Sequence, residues 1–122
     1  MELIDRYRGS LLGLAAGDAL GTTIEFESPG SFKPLTDIVG GGPFNLEPGQ
    51  WTDDTSMALC LAESLIDRGG FDPVHQLETY CRWHRQGHLS STGVCFDIGG
   101  TTWEALTSFE RQKRPYCGPT ED

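Results

Sequence analysis

The chain has 122 residues and a formal net charge of −9, which fits one small domain and speaks against a binder of nucleic-acid backbone, which would carry a basic patch. A hydrophobic fraction of 37%, with 16 glycines and 7 prolines, is low for a compact globular domain and assigns much of the chain to loop. Cys60, Cys81, Cys95 and Cys117 show no C-x-x-C spacing, which argues against structural zinc; three of them lie in or beside apolar runs, where cysteine acts as a small core residue, and a reducing cytoplasm is the expected setting.

The N-terminus does not read as a signal peptide, because Glu2, Asp5, Arg6 and Arg8 precede the apolar run and Asp18 interrupts it. No uninterrupted apolar stretch is long enough to span a bilayer, so no membrane partner is expected. Leu3 to Leu20 reads as a helix with Ile4, Tyr7, Leu11, Leu14 and Ala15 on one face. Gly9, Gly13, Gly17 and Gly21 recur every fourth residue. On a helix they form a bare row that lets another backbone approach. Each interior glycine costs about 1 kcal/mol against alanine, so the row implies a packing or site-building reason. Asp18 falls at the helix end, where a carboxylate opposes the dipole; its placement implies a specific partner.

From Gly21 to Gln50 the chain is mostly loop. Thr22 to Phe26 reads as extended or irregular, with Glu25 set between two anchors, Ile24 and Phe26. Glu25 serves either a solvated face or a site. Ser28-Pro29-Gly30-Ser31 is a turn, and Gly40-Gly41-Gly42-Pro43 and Pro48-Gly49 punctuate the approach to Thr52. A loop of this length in a compact domain is functional or disordered. The triple glycine lacks the lysine and hydroxyl residue of a P-loop, yet its N–H groups could face an anion.

Thr52-Asp53-Asp54-Thr55 sets two carboxylates between two hydroxyls at the start of the next helix. Hard cations such as Mg²⁺, Mn²⁺ or Ca²⁺ take oxygen ligands of this kind. The same residues also suit a plain helix start, with Thr52 as the cap and the aspartates offsetting the dipole. In the second helix Ala58, Leu61, Ala62, Leu65 and Ile66 form the predicted buried face, and Gly69-Gly70 ends it. Asp72-Pro73 opens a third helix, with Val74, Leu77, Tyr80, Cys81 and His84 along one side. His84 and His88 have metal-ligand spacing, but Gly87 breaks the helix between them and argues against a pair. Asp97-Ile98-Gly99-Gly100-Thr101-Thr102 repeats the pattern of carboxylate, glycine and hydroxyl at a helix entry, as a site or as a cap region. Thr102, Ala105, Leu106 and Phe109 continue that fourth helix, and Arg111 to Asp122 reads as loop. Four helices without an alternating strand pattern predict an all-α bundle.

Several segments together resemble the ADP-ribosylglycohydrolase family. They are Gly13-Leu14-Ala15-Ala16-Gly17-Asp18-Ala19-Leu20-Gly21, Ile24-Glu25-Phe26, Gly40-Gly41-Gly42, Pro48 to Met57 and Phe96-Asp97-Ile98-Gly99. The resemblance covers nearly the whole chain, 1–122, as the N-terminal portion of one domain. It implies an orthogonal helical bundle of that family's type, incomplete at its C-terminus. It further implies two Mg²⁺ or Mn²⁺ ions and hydrolysis of the glycosidic bond between ADP-ribose and a modified protein side chain such as arginine, or of a related ADP-ribose conjugate. On this resemblance Thr52, Asp53 and Asp54 are metal ligands, Glu25 contacts the metal pair or a water, and Asp97 is an acid/base or substrate-orienting carboxylate. Gly40, Gly41 and Gly42, with Gly99 and Gly100, would lie near the ADP-ribose.

Two departures stand out. Many members carry asparagine and then arginine where this chain has Gly100 and Trp103. Family domains are also longer, with further metal ligands on an Asp-x-Asp-Thr segment that this chain lacks. The resemblance therefore predicts weak cation binding, little activity and uncovered apolar helix faces for this length of chain. A non-enzymatic ADP-ribose-binding or structural relative, or a truncated remnant, is the alternative.

Overall fold

A computed structural model of the chain describes residues 1–117. The described residues form four α-helices and no strand: α1 (Leu3–Gly21), α2 (Asp53–Arg68), α3 (Pro73–Gln86) and α4 (Gly100–Gln112), with a 3₁₀ turn at Thr22–Ile24 after α1. The all-α expectation holds. The chain divides into two compact units, Met1–Thr55 and Ser56–Asp122.

In the first unit, α1 starts at a capping box between Glu2 and Asp5. The stretch expected to be extended or irregular begins with the 3₁₀ turn. That turn ends at Ile24, and two residues on Phe26 takes a left-handed φ of 67°. Phe26 is not the anchor that was expected. It is 79% exposed and meets the edge of Phe44 at 6.3 Å between ring centres. The long loop is ordered by its own backbone. Gly41 and Leu46 exchange hydrogen bonds of 2.7 and 3.1 Å, and Leu46 is buried. Glu47-Pro48-Gly49-Gln50 closes as a turn, with Gln50 N–H donating to the Glu47 carbonyl at 3.1 Å and Gly49 at a φ of 91°.

The second unit has its core at Cys60, Trp83, Leu106 and Phe109. Burial of each large apolar side chain contributes roughly 1.5–3 kcal/mol. The face that α2 buries differs from the expected one. Ser56, Cys60 and Ser64, spaced four apart, are at most 2% exposed, while Leu65 is 40% and Ile66 79% exposed. Small side chains allow close approach, and the two hydroxyls are satisfied. Ser56 donates to the Leu89 carbonyl at 3.1 Å, and Ser64 Oγ lies 2.8 Å from His75 Nδ1. Helix α3 opens as predicted, with Asp72 accepting from the His75 N–H at 3.1 Å and Pro73 in the first turn. It closes at Gly87 in the left-handed conformation, where a side chain would meet the Gly93 carbonyl. Cys60, Cys81 and Cys117 are free thiols, and burial pushes the Cys60 thiol up to about 12, as suits a core residue.

Candidate functional site

The site in the first unit is built on Asp18. Its carboxylate lies near the end of α1 yet serves the start of α2, across a separation of 34 residues. It accepts the Thr52 N–H at 3.0 Å and the Thr55 N–H at 3.2 Å. It also accepts the hydroxyls of Thr52 at 2.7 Å and Thr55 at 2.6 Å. Thr55 is the third residue of α2, so Asp18 satisfies one of the N–H groups that a helix start leaves without a partner. This is the specific partner that its unfavourable position implied. The sequence signal was present, but its target was not, because the contact is long-range.

Above this junction an open cleft of about 470 Å³ is bordered by Gly13, Gly17, Gly21, Glu25, Thr52 and Asp54. Among the described residues no backbone approaches the glycine row of α1; a methyl group built on Gly9, Gly13, Gly17 or Gly21 meets none of their atoms within 4 Å. The row therefore leaves room at the cleft and does not pack a second helix.

Thr52 is buried, Asp53 and Glu25 are half-buried, and Asp54 is exposed. Burial raises the Glu25 carboxyl above its ordinary value, and the charge of Asp53 raises it further, against a weak 3.5 Å hydrogen bond from the Thr22 hydroxyl. Asp54 is raised by burial first and then by Asp53 and Asp18. These carboxylates repel one another, which is the electrostatic state that a bound cation relieves. The donors are hard oxygens, as Mg²⁺ or Mn²⁺ requires. Among the described residues, no three His, Cys, Asp or Glu side chains converge into a metal cage. The set fits one wall of a hard-cation site.

Gly40, Gly41 and Gly42 all take left-handed φ angles, between 70° and 77°. A methyl group on Gly42 would stand 2.5 Å from the Thr22 carbonyl oxygen, and one on Gly40 would stand 2.5 Å from that of Leu46. The Gly40 carbonyl accepts the Thr23 hydroxyl at 2.9 Å. Close backbone packing, against the 3₁₀ turn at Gly42 and within the loop at Gly40, thus accounts for two of the three glycines.

Asp97, Gly99 and Gly100 belong to the second unit. Asp97 is half-buried ahead of α4, Gly99 caps that helix and Gly100 begins it. His84 and His88 do not act together. His88 Nε2 pairs with Glu63 at 2.5 Å, while both ring nitrogens of His84 are buried without a hydrogen-bond partner among the described residues.

The family model for ADP-ribosylglycohydrolases matches residues 1–121. The chain belongs to the ADP-ribosylglycohydrolase family. It is 52% identical to ADP-ribosylarginine hydrolase Tri1 of Serratia proteamaculans over 98% of its own length and 32% of that protein's. It is 43% identical to the ADP-ribosyl-[dinitrogen reductase] glycohydrolase of Rhodospirillum rubrum over 80% of its own length and 32% of that protein's. A solved structure described as an ADP-ribosylglycohydrolase-related protein complex is similar at a TM-score of 0.80 and 46% identity, over 94% of this chain and 36% of that one. The chain thus spans about a third of the length of the ADP-ribosylglycohydrolase family members that it matches.

Proposed function

We propose that this chain forms one wall of a divalent-cation-dependent site for hydrolysis of the bond between ADP-ribose and a modified protein side chain, with arginine as the first choice of linkage. The observation that carries the reading is the cleft at the start of α2, where Thr52, Asp54 and Glu25 meet beside Asp53. The similarity to an ADP-ribosylarginine hydrolase supports the choice of linkage.

Thr52, Asp53 and Asp54 would hold Mg²⁺ or Mn²⁺. When bound, such an ion supplies charge for orienting ribose hydroxyls and activating water. Glu25, with its raised carboxyl, would accept a proton from a water at the cleft. Asp97 is assigned as a second carboxylate for proton transfer or substrate orientation. Gly40 and Gly42, with Gly99 and Gly100, would offer backbone N–H groups to the ADP-ribose, and Gly41, whose N–H is bonded to the Leu46 carbonyl, would lie beside it. Three oxygen-bearing residues cannot saturate two cations that each take about six ligands. The chain by itself is therefore expected to bind cations weakly and to turn over little substrate. It would act in the cytoplasm on an ADP-ribosylated protein or a related conjugate.

The test is release of ADP-ribose from an arginine-modified protein in Mg²⁺ or Mn²⁺. The chain extended by the segment that its Serratia relative carries should release ADP-ribose, the same protein with Asp53→Asn should not, and the 122-residue chain alone should stay near background. Strong release by the chain alone, or full activity of the Asp53→Asn protein, would overturn the proposal. An extended protein that binds ADP-ribose without turnover would favour the non-enzymatic alternative.

A further inference from the structure

We infer that Asp18 is a positioning residue for the cation: it accepts the hydrogen bond of the Thr52 hydroxyl and so turns that oxygen's lone pairs toward the cleft. The inference rests on the reading that Thr52, Asp53 and Asp54 hold the ion. A threonine hydroxyl has one proton to give and two lone pairs to share. To bind a cation it must send the proton elsewhere. Thr52 is 3% exposed, so bulk water is a poor recipient, and Asp18 Oδ1 lies 2.7 Å from its oxygen. That length is an ordinary one for a hydroxyl hydrogen bond and also lies within the charge-assisted range.

The two threonines on Asp18 are not equivalent. Both donate hydroxyl and backbone N–H groups to it. Thr52 borders the cleft, while Thr55 is 4% exposed and does not. Asp18 therefore does two separable things. Through Thr55 it caps α2, and through Thr52 it prepares a ligand. Its backbone bond to Thr52 also fixes the residue immediately before Asp53 and Asp54. Partners of this kind, one bond removed from the metal, change its affinity by roughly 10–100-fold when lost.

The test uses the 122-residue chain and Mn²⁺ alone, with free Mn²⁺ followed by its electron paramagnetic resonance signal. Asp18→Asn should weaken Mn²⁺ binding about 10-fold or more. Thr52→Val should weaken it similarly, and the double variant should be no weaker than Thr52→Val to within about twofold. Thr52→Ser, which keeps the hydroxyl, should restore affinity. Thr55→Val should lower thermal stability as Asp18→Asn does, yet keep affinity within about twofold of wild type. Additive losses at Asp18 and Thr52, or equal losses of affinity at Thr55 and Asp18, would overturn the inference. An unfolded Asp18→Asn protein leaves a direct readout in the wild type: the Thr52 hydroxyl proton should exchange slowly by NMR and remain bonded to Asp18 when Mg²⁺ is added. Its release on Mg²⁺ addition would contradict the assignment. If wild type and Asp53→Asn bind Mn²⁺ alike, the cation reading itself fails and the inference falls with it. If only the Asp18 comparisons fail, that reading stands.

Discussion

At Gly42 one methyl group decides whether the loop can close against the 3₁₀ turn. Its φ of 70° already disfavours an L side chain, at roughly 1–2 kcal/mol, and an added carbon would stand 2.5 Å from the Thr22 carbonyl and 3.0 Å from the Thr23 Cα. Gly41 has a similar φ of 77° but open space around it. Gly42→Ala should therefore destabilise the protein by about 1 kcal/mol or more beyond Gly41→Ala in urea unfolding, because a backbone clash adds to the conformational cost. Equal losses would mean that the loop does not rest on the turn. Asp18 acts through hydrogen bonds, not sterics. Its misplacement at the end of a helix was legible in the sequence, because the helix dipole makes a carboxylate there an anomaly. Its two threonine partners were not legible, because nothing in residue order announces a contact across 34 positions.

Among the elements, α3 and α4 are tied by a two-pronged ion pair. Arg85 donates to Glu110 at 3.1 and 2.8 Å, and that bonding holds the Glu110 carboxyl below its ordinary 4.5. A carboxyl depressed by folding adds stability above its unfolded pKa and loses it as pH falls through the folded value. Arg85 is 55% exposed, so the pair is screened and contributes only a small stabilisation. Glu110→Gln should cost no more than that at neutral pH, and the gap from wild type should close as the pH is taken well below 4.5. A gap that persists in acid would point to packing instead of charge. The helices themselves were readable from apolar spacing and from Asp72-Pro73, Gly69-Gly70 and Gly87. The buried stripe of α2 was not. Periodicity searches find large apolar residues, and Ser56, Cys60 and Ser64 are small, with hydroxyls that become buriable only when the Leu89 carbonyl and His75 accept them. The 3₁₀ turn was missed for a related reason: three residues are too few to show a period.

At the scale of the molecule, apolar side chains that a helix would normally bury stand open. Leu3, Ile4, Tyr7, Leu11 and Leu12 on α1 are 47–69% exposed, which meets the expectation of uncovered helix faces in a chain spanning about a third of its relatives' length. No helix among the described residues is long and apolar enough to cross a membrane. The family was legible from the ordered segments around Asp18, Glu25, Gly40 and Asp53. The distribution of the candidate site was less so: Glu25, Thr52, Asp53 and Asp54 gather in the first unit, while Asp97, Gly99 and Gly100 belong to the second.

The central claim is that the start of α2 is a cation-binding wall, and paramagnetic broadening by Mn²⁺ in the NMR spectrum of the 122-residue chain tests it most directly. At substoichiometric Mn²⁺ the account predicts selective loss of the amide signals of Thr52, Asp53, Asp54 and Glu25, abolished by Asp53→Asn and reversed by chelation. Broadening centred on other acidic residues such as Glu104 and Glu110, or the same pattern in the Asp53→Asn protein, would contradict it.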